Sequence, residues 1–242
     1  MSQTVAADPA RRLEEAFQAL AAYDWGSPRG VLLPIDEAVR NAGYDRKQAR
    51  ALEQRLVQAL QAGGSLARQQ YLCSKLALIG TDRCVPALAA LLDQPELATA
   101  ACDALEKIPG SAPGRALRAG LKKVSGRQKA AVVRALGVRR DRAGISPLAK
   151  CLADPDPAVA ARAAEALGEI GTARCAETLK NVYRRKGPAA NPALAGALLA
   201  CAERLAQARQ NREARRIYEL LVHSAEAAHI RDAARLGLQQ TT

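Results

Sequence analysis

Leucine keeps time along the middle of this chain. Leu76, Leu105, Leu136 and Leu167 follow one another at steps of 29, 31 and 31 residues, and Leu88, Leu117, Leu148 and Leu179 keep the same steps. Around each member of the first set, apolar residues recur at helical spacing, as in Val159, Ala163, Leu167 and Ile170. Each such stretch closes near Gly80, Pro109, Gly137 or Gly171, residues that end helices. A polar turn and a second, shorter apolar stretch follow, bearing Leu88 and Leu92, Leu117 and Leu121, or Leu148 and Leu152. The pattern predicts pairs of helices repeated about every 30 residues. One such pair cannot bury its own apolar face, so neighbouring pairs must stack into a right-handed superhelix.

The repeat explains a recurring hexapeptide. IGTDRC (Ile79–Cys84) returns as IGTARC (Ile170–Cys175), 91 residues later and three units on. Isoleucine is expected to close the core, glycine to end the helix, and cysteine to fill a small slot taken by Pro113 and Gly144 in the units between. Asp154-Pro155-Asp156-Pro157 places an acidic cap and a proline where the next helix starts.

The flanks are looser. Residues 1–62 read as an N-terminal helical cap containing a long helix over Asp45–Gln61, residues 63–187 as about four repeat units, and residues 188–242 as further helices of one continuous domain. Ile230, Ala234 and Leu238 fit the first helix of another unit whose second helix does not follow. That pattern is expected of a terminal cap or of a piece of a longer array.

The units resemble HEAT repeats, in particular the short variety first described in phycobilin lyases; DPDPAVAARAAEALGEIGTARCAETL (Asp154–Leu179) carries the resemblance best. It implies an all-α, armadillo-like right-handed α-α superhelix. ALLACAERLAQARQNREARRIYELLV, within Asn191–His223, is more similar to a tetratricopeptide hairpin. The whole chain also resembles HEAT arrays of large exported bacterial proteins, whose neighbouring domains carry the chemistry. From this follow two alternatives to a plain binding module: a bilin-lyase-like subunit, or a HEAT-like DNA glycosylase.

Composition agrees with helices and excludes little else. Alanine and leucine dominate and only seven of 242 residues are aromatic. No apolar run approaches the roughly 18 to 20 residues of a membrane span. The start, MSQTVAADPARRLEEAF, lacks an apolar signal region, so the expected compartment is cytoplasmic, with an exported protein freed of its signal peptide as the alternative.

Candidate chemistry is sparse. Six cysteines contain no C-x-x-C and lie far from His223 and His229, so no metal or cofactor is expected. Equivalent cysteines sit at least one helix spacing apart, about 8–10 Å, beyond the roughly 7 Å that a disulfide tolerates. Only Cys73 with Cys84 remains a candidate pair. Neither histidine belongs to a recognisable triad, and no catalytic residue is assigned.

Charge is the stronger signal. Of the formal +12, most comes from Arg115–Lys150, which holds eleven basic residues and one acid. Arg115, Arg118 and Lys122 share a helix face, as do Arg127 and Arg134; Lys123 is adjacent, Arg139, Arg140 and Arg142 crowd a turn, and Arg184, Arg185 and Lys186 end the second helix one unit on. A solvated face accounts for such residues, yet concentration of this kind also suits an anionic partner. The section contains no aromatic residue, so base stacking is not on offer; nucleic acid would be held through phosphates alone, and an acidic protein fits at least as well. Trp25, in YDWGSPRG, is expected either to cover the open end of the first unit or to serve as an interaction anchor. The expected function is protein binding or scaffolding without catalysis.

Overall fold

A computed structural model describes residues 8–187, 193–225 and 227–241, with the Lys186 side chain outside the described set. Among these residues the chain is all helical, without strands. All eight repeat leucines are fully buried, each at 0% exposure; complete burial of a leucine is worth about 1.5–3 kcal/mol. The chain divides into two compact units, Met1–Ala116 and Leu117–Thr242.

Unit 1 opens with α1 (Pro9–Ala21), a 3-10 turn at Arg29–Leu32, α2 (Leu33–Asn41) and α3 (Arg46–Gln61). Asp45 caps α3 by accepting from the Lys47 and Gln48 amides at 2.7 and 3.2 Å, one residue inside the expected start. The first repeat pair is α4 (Leu66–Ile79) and α5 (Val85–Ala89), followed by α6 (Ala98–Lys107). Helix α4 packs against both α3 and α6. Helix α7 (Ala112–Gly120) runs across the division.

Unit 2 holds α8 (Gly126–Val138), α9 (Ile145–Cys151), α10 (Pro157–Ile170), α11 (Ala173–Lys186), α12 (Ala193–Gln207), α13 (Asn211–Ser224) and α14 (Ala228–Gln240). Asp156 caps α10 through the Ala158 amide at 2.9 Å with Pro157 in the first turn, as the Asp-Pro-Asp-Pro run predicts. Thr172 caps α11 by accepting from the Cys175 amide at 3.3 Å. Asn191, the expected start of the tetratricopeptide-like hairpin, lies outside the described residues; its two helices are α12 and α13.

Gly137 does not end its helix as the sequence suggests. It lies inside α8, and a Cβ there would come within 2.7 Å of the Ala166 Cα on α10. Thirty-one residues on, a Cβ on Gly168 would come within 2.7 Å of the Ala197 carbonyl on α12. The same glycine-on-alanine crossing therefore holds α8 to α10 and α10 to α12, and both crossings need a bare backbone on one side. Because the contact recurs in the same register, the three helices run in the same direction and their C-terminal ends reach one edge of unit 2.

The six cysteines are all free and buried, so Cys73 and Cys84 form no bond. Cys84, Cys175, Pro113 and Gly144 are each buried, the shared slot that the repeat predicts.

Candidate functional site: a basic edge of unit 2

The charge excess belongs wholly to unit 2. Residues 1–116 carry thirteen basic and thirteen acidic residues, whereas residues 117–242 carry twenty-three and eleven, which is the entire +12. The only aromatic residues of unit 2, Tyr183 and Tyr218, are both buried at 3% exposure. Neither tyrosine ring is therefore offered to a base on its surface.

The thirteen residues predicted as a site are not all equivalent. Arg115 is exposed, falls in unit 1 and donates to Ser111 Oγ at 2.6 Å. Arg118 is half-buried and ion-paired with Asp141. Arg134 and Arg139 are half-buried and engaged in contacts of their own. Lys122, Lys123, Arg127, Arg140 and Arg142 are exposed, and among the described residues none has a carboxylate within ion-pair distance. Arg184 and Arg185 are exposed at the end of α11, Arg185 donating to the Asn181 carbonyl at 3.3 Å; the Lys186 side chain lies outside the described residues.

These residues fall on two edges. Lys122, Lys123 and Arg127 flank the start of α8, and Arg184 and Arg185 lie at the end of α11, both where one helix pair passes to the next. Arg139, Arg140 and Arg142 lie at the other end of α8, in the turn within a pair. Thirteen residues of helix separate the two ends, about 20 Å at 1.5 Å per residue. Lys129, which points to the first edge, is tied to Asp154 at 2.5 Å; that hydrogen bond, against the opposing effect of burial, holds the Asp154 carboxyl below its ordinary value.

The turn edge has an unusual backbone. Among the described residues, Arg140 and Arg209 are the non-glycine residues with positive φ, 51° and 59°. Both follow a first helix of a pair and close it identically. The Asp141 amide donates to the Leu136 carbonyl and the Arg140 amide to Gly137; the Gln210 amide donates to Leu205 and the Arg209 amide to Ala206, all between 2.8 and 3.0 Å. In the α10–α11 turn the left-handed position is Gly171, φ 61°, 31 residues after Arg140. Glycine takes this conformation freely, whereas an L side chain costs on the order of 1 kcal/mol.

Trp25 is 70% exposed. Beside its loop lies a cluster that the sequence reading passed over. Asp36 Oδ1 accepts from Tyr71 Oη at 2.9 Å and pairs with Lys75 Nζ at 2.7 Å, while Lys75 also stands 4.7 Å from the Tyr71 ring centre. Burial acts to raise the Asp36 carboxyl, and the bonds from Lys75 and Tyr71 outweigh it, leaving it below its ordinary value. Burial and the Asp36 carboxylate push the Tyr71 hydroxyl upward. Nearby, the buried Glu53 carboxylate (2% exposed) accepts from the Thr81 amide at 2.6 Å and its hydroxyl at 2.8 Å. Burial, and then Glu53, push the Cys84 thiol up to about 12; such a thiol is inert as a nucleophile at neutral pH. These groups are spread over α2, α3 and α4, so no spacing signal in the sequence unites them.

Unit 2 is thus a stack of helix pairs on a 31-residue step with an excess of positive charge on two edges. Residues 114–200 match the family model for HEAT repeats. Among solved structures, the chain is similar to one from the complex of CpcE and CpcF of phycocyanin lyase from Nostoc sp. PCC7120, at 22% identity over 100% of both chains with a TM-score of 0.46. It is similar to an engineered protein at 16% identity, over 95% of this chain and 96% of that one, with a TM-score of 0.34. No curated protein matches the sequence. No helix among the described residues is long and apolar enough to cross a membrane.

Proposed function

We propose that this chain is a non-catalytic interaction module whose HEAT-repeat unit binds an acidic protein partner. The observation that carries the reading is the division of charge: unit 1 is neutral, and unit 2 holds the full +12 with both of its aromatic residues buried. Clustered positive charge of this kind speeds encounter with a negative surface and selects against positive ones. Exposed arginines and lysines on helix ends can meet carboxylates, and a surface whose tyrosines are buried gives bases little to stack on. Trp25 supplies a separate apolar anchor on unit 1.

The test is a comparison of ligands on the full chain. Fluorescence anisotropy with labelled oligoglutamate, duplex DNA and single-stranded DNA, each titrated over salt, is expected to show oligoglutamate binding that weakens as salt rises. Absence of oligoglutamate binding at low salt, or tighter binding of either DNA at equal salt, would overturn the proposal.

A further inference from the structure

The two edges of unit 2 offer basic residues in different ways. On the edge between pairs, lysine and arginine are mixed. On the edge formed by the turns within pairs, Arg140 and Arg142 follow α8, Arg174 opens α11, and Arg209 and Arg212 flank the start of α13, all five exposed and all arginine. Three of these, Arg174, Arg209 and Arg212, lie outside the basic section that the sequence singles out.

Local chemistry argues against arginine at four of these five places. Arg140 and Arg209 hold a left-handed backbone suited to glycine, which Gly171 supplies in the turn between them. Arg174 and Arg212 are the second residues of α11 and α13, and Arg142 opens the 3-10 turn before α9. At the starts of α11 and α13 the partial positive charge of the helix disfavours a cation. Four departures from local preference on one edge, with the same residue chosen each time, mark a surface that serves something besides folding, although Arg174 also donates to Ser146 Oγ at 2.9 Å.

The geometry gives this edge a length. Glycine-on-alanine crossings bring α8, α10 and α12 together at the close end of the 8–10 Å helix spacing, so successive turns stand about 8 Å apart sideways. Helix α12 continues to Gln207, nine residues past Leu198, while α10 stops three past the equivalent Leu167. The Arg209 turn therefore projects about 9 Å beyond the middle turn at 1.5 Å per residue. From Arg140 to Arg209 the row spans roughly 20 Å, the reach of about six extended residues. Val138, 51% exposed, stands directly before the first turn and adds an apolar contact suited to a side chain.

We infer that the arginine row of Arg140, Arg142, Arg174, Arg209 and Arg212 is the docking edge for an extended acidic peptide of the partner, each guanidinium fork receiving a carboxylate. This rests on the function proposed above and adds where and in what conformation the partner binds.

Arg140→Gly with Arg209→Gly separates binding from folding, because glycine removes two charges while relieving two strained backbones. The double variant is expected to bind labelled oligoglutamate about tenfold more weakly and to melt no lower than the parent chain. A second variant, R142A/R174A/R212A, is expected to show a comparable loss. Unchanged affinity in both, with loss in K122A/K123A/R127A, would place the contact on the opposite edge and overturn the inference while leaving the acidic-partner reading intact. Failure of the parent chain to bind oligoglutamate would remove both. Parent-chain binding of duplex DNA above oligoglutamate, lost in R140G/R209G, would keep the edge and overturn the peptide as its occupant.

Discussion

The turn after α4 and the turn after α10 begin from nearly the same six residues and solve the same problem differently. In unit 1, Thr81 reaches away from its own pair, giving both its amide and its hydroxyl to the buried Glu53 of α3. Gly80 stays at φ −64° and is required by space, since a Cβ would collide with the Leu76 carbonyl and meet Cys84 Sγ at 2.7 Å. In unit 2, Thr172 simply caps the helix that follows, and Gly171 turns the chain through a left-handed conformation, with the Arg204 side chain packed over it. Unit 1 is jointed by carboxylates, the buried Glu53 on Thr81 and the half-buried Asp36 on Tyr71 and Lys75. Unit 2 is jointed by close backbone crossings. The close crossings take their contact from backbone and small side chains, and the ion pairs of Arg204 with Glu169 and of Lys129 with Asp154 add to them from the sides.

The sharpest way to break this comparison is to fill the crossings. Gly168→Leu forces a side chain against the Ala197 backbone, which cannot yield without parting α10 from α12, and is expected to cost about 3 kcal/mol. Its repeat equivalent in unit 1, Ala77, lines an open groove of about 380 Å³ between α4 and α6. Ala77→Leu has room to enter that groove and is expected to cost less than about 1 kcal/mol. Denaturant unfolding measures both. Equal costs would mean that the two units are not packed on different principles.

Next in size is the polar joint. Glu53→Ala strands the Thr81 amide and hydroxyl and is expected to cost about 2 kcal/mol. In unit 2, Asp141 occupies the repeat position of Thr81, accepts from the Ala143 amide at 3.2 Å and pairs with Arg118. Because that pair is partly solvated, Asp141→Ala is expected to cost about 1 kcal/mol, chiefly the lost cap. A reversal of this order in thermal melts would contradict the assignment of Glu53 as the deeper anchor.

The fold was more legible than the site for a physical reason. Burial of leucine is periodic, so Leu76, Leu105, Leu136 and Leu167 announce the repeat without any knowledge of contacts. The cap at Asp156 and the small slot at Cys84 and Cys175 follow from the same register. Gly137 was misread because helix ending and close packing both select glycine, and only the position of Ala166 across the crossing separates them. The basic section was visible as a run, but a run follows the chain and an edge does not. Arg209 and Arg212 join Arg140 only through the stacking of α8, α10 and α12, about 70 residues apart in sequence. The Asp36, Tyr71 and Lys75 cluster was hidden in the same way, its members being individually ordinary.

The smallest expected effect separates the units by their response to acid and salt. Asp36 in unit 1 has a folded-state pKa below its ordinary value of 3.8. Its contribution is therefore fully present above pH 4 and is lost as pH falls through the lower folded value, a window below about pH 4. This loss arises in a half-buried pair, where salt screens little. Unit 2 also loses the Asp154 contribution over the same direction, for the same sign of shift. It further sheds the negative charge of its eleven acids against twenty-three bases, and that repulsion acts between exposed groups. Screening shortens from about 10 Å at 0.1 M salt to about 3 Å at 1 M, so salt should restore unit 2 and leave unit 1 as it was. Hydrogen exchange at pH 3 is expected to show α8, α10 and α12 gaining about 1 kcal/mol of protection with added salt, with α2 and α4 nearly unchanged. D36N should flatten the acid response of α2 and α4 alone. If salt protects both units equally, the positive charge of unit 2 is balanced locally in the folded chain, and its arginine edge is a solvated face rather than a surface held ready for an anion.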